Sequence, residues 1–298
     1  MKITNIRLQY LEESNQSLLK KAGFTLIELS IVLVIIGLIV GGVLVGQDLI
    51  KAAEIRSTIA QYEKYNAAMN TFRTKYNGMP GDLLYTQANS FGLNPAAGSL
   101  TSAAGDGNSL IESTTSTNYN IPNREPVLIW QQLNVANLID GSYGVGLTVD
   151  GVPTSTIPSQ YLPAAKLGRG NYWIAGSSGG LNYYGLLAPT ALGASGASYT
   201  AAAGGGITPI EAYNIDSKLD DGAPGTGIVQ ARGNTAMGAT ADSMFPALGA
   251  TTAGKWASTP AAGDCTTTGA SATDTANTYA RGTTSGNTPA CTLRLRFN

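Results

Sequence analysis

The sequence predicts an α+β fold: one long N-terminal α-helix packed on an antiparallel β-sheet, with long loop insertions. Three observations carry that expectation. Residues 24–46 form an apolar run that passes into a helical stripe ending near Tyr76. Beyond Val145, short runs of β-branched and aromatic residues are bounded by glycines, the pattern of short strands. The composition agrees: 37 glycines and a charged fraction of 12% suit a loop-rich, extracytoplasmic, β-containing domain better than a helical cytosolic enzyme.

The first element is the segment Phe24–Gly46, which contains a single charge, Glu28. A helix of this length covers about 34 Å, enough to cross a hydrocarbon core. Lys20 and Lys21 stand just before it, and basic residues on that side keep it cytoplasmic, so the remainder is expected outside the inner membrane. A secretory signal peptide has a shorter apolar core with its small-residue cleavage site after it, whereas here Gly23 precedes the run. A plain membrane anchor fits the length but leaves Glu28 unexplained, because a carboxylate inside an apolar helix costs several kcal/mol unless it is paired.

The segment Lys21-Ala22-Gly23-Phe24-Thr25-Leu26-Ile27-Glu28-Leu29 resembles the processing site of type IV prepilins and type II secretion pseudopilins. It combines a basic leader, Gly before Phe, and Glu at the fifth position after the cut. The resemblance implies cleavage between Gly23 and Phe24 by a prepilin peptidase and N-methylation of the new Phe24 amine. It also implies that Glu28 neutralises the amine of a neighbouring subunit and so sets the axial register of a filament. The close match covers about residues 20–50. Many pilins have a proline near the twenty-second mature position, where this chain has Val45; Gly37, Gly41, Gly42 and Gly46 can soften the helix instead.

The organisation implied is a cleaved leader (1–23), a transmembrane and filament-core helix (24–46), an amphipathic half of the same helix (47–77) and an extracytoplasmic α+β pilin-like domain (78–298). The implied function is that of a structural subunit of a type IV pilus or related filament. Its partners would be further copies of itself in a helical filament, the prepilin peptidase, and inner-membrane assembly machinery with a separate ATPase. It would sit in the inner membrane with a single pass before assembly, and in a cell-surface or periplasmic filament afterwards. Two alternatives stand beside this: a minor pilin or pseudopilin that primes or tips a filament, and a membrane-anchored adhesin or receptor that never polymerises.

The helix is expected to continue from Gln47 to Tyr76, because Ile55, Ile59, Tyr62, Tyr65, Met69, Phe72 and Tyr76 recur at spacings of three and four. Lys51, Glu54, Lys64 and Lys75 take the other side, and Asn77-Gly78-Met79-Pro80 ends it with Gly78 suited to the C′ position. A short helix is expected within Leu83–Phe91, and residues 94–120 read as a long surface loop. Val127–Ile139 has helical spacing, with Trp130, Leu133 and Leu138 as core and Asp140-Gly141 as its stop. Strands are expected at Tyr172–Ile174, Tyr183–Leu187, Gly227–Ala231 and Thr292–Phe297. Thr208-Pro209-Ile210-Glu211 is a capping box opening a helix to about Leu219.

Charge and residue types narrow the chemistry. Removing residues 1–23 takes away four basic and two acidic residues and leaves 14 Lys and Arg against 17 Asp and Glu, so no nucleic-acid partner is expected. The chain has no histidine, which removes the commonest general base and metal ligand, so no enzyme activity and no cofactor are expected. Gly249–Lys255 satisfies GxxxxGK, but Trp256 stands where a phosphate loop needs Ser or Thr. Asp216, Asp220, Asp221 and Gly222 could suit calcium, which some pseudopilins bind in a loop. Their spacing is not that of an EF-hand, ordinary turn chemistry after a helix is favoured, and no metal site is assigned. In an exported chain Cys265 and Cys291 read first as a disulfide, the alternative being two free thiols. Eleven of the residues 266–290 are Ser or Thr, so that segment is expected to be an exposed loop that buries little.

Overall fold

The computed structural model describes residues 24–93, 105–112, 125–144, 157–191, 200–201, 206–233, 265–266, 278–281, 286 and 288–297. Gly23 with its leader, Gly249–Lys255, and most of 94–120 and 266–290 lie outside the described residues. The first element is α1, Leu26–Tyr76, a helix of 51 residues. Its residues up to Lys51 belong to one compact unit, and Ala52 onward belong to a second. In the first unit the apolar side chains are exposed, Leu26 by 87% and Leu33 by 70%. This helix is long and apolar enough to cross a membrane.

In the second unit the expected stripe of α1 is the buried one. Ile55, Tyr62, Tyr65, Met69 and Phe72 are buried, with Ile59 and Tyr76 half-buried at its margins. The helix stops as Asn77 adopts a left-handed φ of 51°, a conformation Asn tolerates better than most residues. Gly78, which sequence spacing put in that role, follows it; a Cβ there would come within 2.4 Å of the end of the Leu83 side chain, which would have to shift.

Next come α2 (Tyr85–Ser90) and α3 (Glu125–Val135). Helix α3 ends four residues before Ile139, because Asn137 turns left-handed at φ 58° and the Asn134 amide donates to the carbonyls of Ile139 and Gly141. The turn at Gly81 (φ 90°) comes so close to α3 that a Cβ would meet the Glu125 carbonyl at 2.8 Å. After a 3-10 turn at Pro158–Gln160 the chain forms β1 (Tyr172–Ser178) and β2 (Leu181–Leu187), then a small hairpin of β3 (Pro189–Ala191) and β4 (Thr200–Ala201) that the sequence did not signal. Helix α4 spans Pro209–Leu219, and its capping box forms as expected: Thr208 N–H donates to the Glu211 carboxylate and Glu211 N–H to the Thr208 hydroxyl. Strands β5 (Val229–Gly233) and β6 (Cys291–Phe297) complete an antiparallel sheet in the order β1-β2-β6-β5.

Register fixes which side chains share a face. Trp173 lies opposite Leu186, Tyr184 opposite Leu295, and Leu295 opposite Val229, so these line one face of the sheet. That face meets α1 and α3 through aromatic rings. Tyr65 lies 5.1 Å from Trp130 and 5.9 Å from Trp173, Tyr62 lies 6.0 Å from Tyr184, and Tyr184 stacks on Phe297 at 4.1 Å. Gln61 of α1 clamps the margin: its Oε1 accepts from the Trp173 indole at 2.8 Å and from Lys166 N–H at 3.0 Å, and its Nε2 donates to the Ala164 carbonyl. The long N-terminal helix and four-stranded antiparallel sheet are the α+β arrangement the sequence predicts.

Two expectations about loops need correction. Residues 105–112, read as part of a free surface loop, bury Ile111 and are docked: Ile111 N–H donates to Asn182 Oδ1, and Asn182 Nδ2 donates to the Ser109 carbonyl. Within 266–290, Tyr279 and Ala280 are buried, because the Tyr279 hydroxyl finds a buried acceptor on α4. Trp173→Ala should therefore destabilise by about 3–5 kcal/mol, since it empties the centre of the aromatic face. Gln61→Ala should remove about 1–3 kcal/mol through the donors it orphans. Denaturant titrations of the two variants check the ranking.

Candidate functional site

The residues that sequence reasoning singled out at the N-terminus are ordered by the first turn of α1. Phe24 is 80% exposed and Thr25 lies just outside the helix. Glu28 Oε2 accepts from Thr25 N–H at 2.8 Å and from the Thr25 hydroxyl at 2.7 Å, while Thr25 Oγ1 accepts from Glu28 N–H at 3.3 Å. This is a capping box, in which two amides otherwise left open at a helix start are met reciprocally. Thr25 was missed as a functional partner of Glu28. The signal was available, since Thr25-Leu26-Ile27-Glu28 ahead of an apolar run has the Ser/Thr-x-x-Glu form. Glu28 thus has a local partner in the single chain. It is the acid of a segment whose Leu, Ile and Val side chains face outward on all sides, from Leu26 through Val45.

Cys265 and Cys291 form a disulfide with Cα atoms 4.9 Å apart. It ties Cys265 to the first residue of β6, and Ile207 bridges to the same Cys291. Closing a loop of this size contributes about 3 kcal/mol in the chain-entropy account.

Two sets of carboxylates bring oxygens within 4.8 Å of one another: Asp82, Asp106 and Glu125, and Asp216, Asp220 and Asp221. The second set is the one expected from sequence, and its members act as turn acceptors. Asp220 takes the amides of Ile228 and Val229, and Asp221 takes the Ala223 amide and the Thr226 hydroxyl. The first set was not foreseen, because its members lie far apart in sequence. Asp82 accepts from Gly107 N–H at 2.8 Å and Ser109 N–H at 2.6 Å, and Glu125 accepts from Glu112 N–H at 2.6 Å. Hard oxygens of this kind can hold a cation, and they can equally hold a proton. Burial raises Asp82 to about 6 and Glu125 to about 9, so Glu125 carries its proton at neutral pH.

Residues 18–44 match the family model described as the prokaryotic N-terminal methylation motif. The match includes Gly23, Phe24 and Glu28 together with most of the apolar run. Comparison with curated proteins and with solved structures gives no match.

The buried acid sets a pH dependence whose sign follows from linkage. The folded pKa of Glu125 is raised far above that of an unfolded chain, so stability falls as pH rises from about 4.5 towards 9. Glu125→Gln keeps an acceptor for the Glu112 amide without the ionisation. It should be more stable than the parent at pH 8, by up to about 4 kcal/mol, with the gap closing near pH 5. Thermal unfolding of both chains at the two pH values measures it.

Proposed function

We propose, from the signature of the type IV prepilin and pseudopilin family at residues 18–44, that this chain is a structural subunit of a type IV pilus or related filament. In this reading a prepilin peptidase cuts between Gly23 and Phe24, and the freed Phe24 amine is methylated. The mature chain then waits in the inner membrane on its apolar helix until assembly machinery with its own ATPase draws it into a filament. The observation that carries the reading is the coincidence of the motif with an apolar helical segment that no other part of the chain covers among the described residues. Side chains such as Leu26, Leu33 and Leu38 are exposed by 70% or more, a surface that lipid or neighbouring helices must cover.

The geometry at Glu28 supports the same reading and refines it. Before assembly, Thr25 supplies two donors to the carboxylate, which lowers the penalty of holding it at the edge of the bilayer. In a filament, the cationic amine at Phe24 of a neighbouring copy would offer a stronger, charge-assisted partner. The acid is therefore satisfied at both stages, and exchanging one partner for the other ties assembly to axial register.

Filaments sheared from cells, analysed by mass spectrometry of the N-terminal peptide, test this directly. The expected peptide starts at methylated Phe24; one retaining residues upstream of Gly23 overturns the processing step. Glu28→Ala should leave the membrane pool of mature chain in place and remove it from the filament fraction. Surface filaments at undiminished level would leave a non-polymerising role for Glu28.

A further inference from the structure

We propose that Asn77 is a self-modification site, at which its side-chain amide is lost through a succinimide formed with the Gly78 nitrogen. Asn77-Gly78 is the only Asn-Gly pair in the chain, and it stands where α1 ends. Asn77 is exposed and left-handed at φ 51°. Its N–H donates to the Arg73 carbonyl at 2.9 Å and closes the helix. Among the described residues, no hydrogen bond holds its side-chain amide and none holds the Gly78 N–H. Electrophile and nucleophile are therefore adjacent, and neither is tied elsewhere. Gly78 also has no Cβ to crowd the approach of its nitrogen to Asn77 Cγ. Asn137 shows the protected form of the same backbone. It too is exposed and left-handed, at φ 58°. There the following N–H, of Leu138, donates to the Leu133 carbonyl at 2.9 Å, and the Asn137 amide donates to the Val135 carbonyl at 3.4 Å.

The chemistry needs only water. The Gly78 nitrogen attacks Asn77 Cγ and gives its proton to solvent; the new C–N bond closes a five-membered imide, and the side-chain nitrogen leaves as ammonia. Water then adds to either ring carbonyl and breaks its bond to nitrogen. Opening at Cγ leaves aspartate at position 77. Opening at the backbone carbonyl leaves an isoaspartyl link, in which the main chain runs through the former side chain and gains a carbon. The two products differ in consequence. Aspartate tolerates the left-handed backbone, but it puts a negative charge at the C-terminal end of α1, where the macrodipole opposes it. The isoaspartyl link lengthens the chain that enters residues 79–83, where there is no slack. Met79 and Leu83 are buried, Gly81 N–H donates to Gln132 Oε1 at 2.7 Å, and a Cβ at Gly81 would already meet the Glu125 carbonyl at 2.8 Å. That product therefore loosens the joint between the end of α1 and α3.

Peptide mapping of the full chain, incubated folded and in denaturant at the same pH and temperature, tests the proposal through the aspartyl and isoaspartyl forms of residue 77. The expected folded rate lies within about 100-fold of the denatured rate, because a site that reacts only after global unfolding is slowed by far more. A folded rate below that limit overturns the proposal. Asn137, referred to its own denatured rate, should be at least about tenfold better protected than Asn77; equal protection overturns the role given to the free Gly78 N–H. Asn77→Asp carries the charge of the aspartyl product without the altered link. Amide hydrogen exchange at Gly81 should match the parent in Asn77→Asp and rise at least about tenfold in chain separated as the isoaspartyl form. An isoaspartyl chain as protected there as the parent, or an Asn77→Asp chain loosened to the same degree, overturns the effect assigned to the added carbon. None of these outcomes depends on processing or assembly.

Discussion

The contact on which the globular unit depends is the aromatic seam between residues 62–72 of α1 and the inner face of the sheet. Tyr65 touches Trp130 and Trp173, and Tyr184 reaches Tyr62, Trp130 and Phe297, so five elements meet at a handful of rings. Large rings bury much area with few rotatable bonds, which suits a chain with few other large side chains to spend on a core. Once Trp173 and Tyr184 are fixed, register dictates that Leu186, Leu295 and Val229 face the helices.

Much of this was legible in the sequence, for identifiable reasons. The stripe from Ile55 to Tyr76 obeys a helical period, and the Thr208–Glu211 capping box is a local code, so both are read without knowing the fold. The glycine-bounded aromatic runs gave the sheet, although β5 lies two residues later than the spacing suggested. What stayed hidden depends on contacts remote in sequence. Nothing local says that Asp82 takes the amides of Gly107 and Ser109, or that Asn182 receives Ile111. Tyr279 likewise sat in a run of small polar residues that looked too weak to bury anything. The Thr25–Glu28 cap, by contrast, is local and has the Ser/Thr-x-x-Glu form, so it was readable from four residues alone.

The electrostatics share one theme. A chain with no histidine still has groups that titrate near neutrality, because Asp82 and Asp216 are moved there by burial. Glu125 goes further and is an acid kept neutral. Backbone amides and a phenol, rather than lysine or arginine, supply the donors at these sites. Neutral donors satisfy geometry without cancelling charge, and protons do the rest.

Strand β6 is an inner strand, paired on both sides, yet its residues follow those of β2 by more than a hundred positions. Any β1–β2 hairpin that forms before residues 291–297 are made therefore has one edge open and half the seam unfilled. Cys265 waits through the same interval as a lone thiol. The bond forms only once Cys291, the first residue of β6, has been made, so this covalent tie is late in the chain's history and sits at the start of the last inner strand.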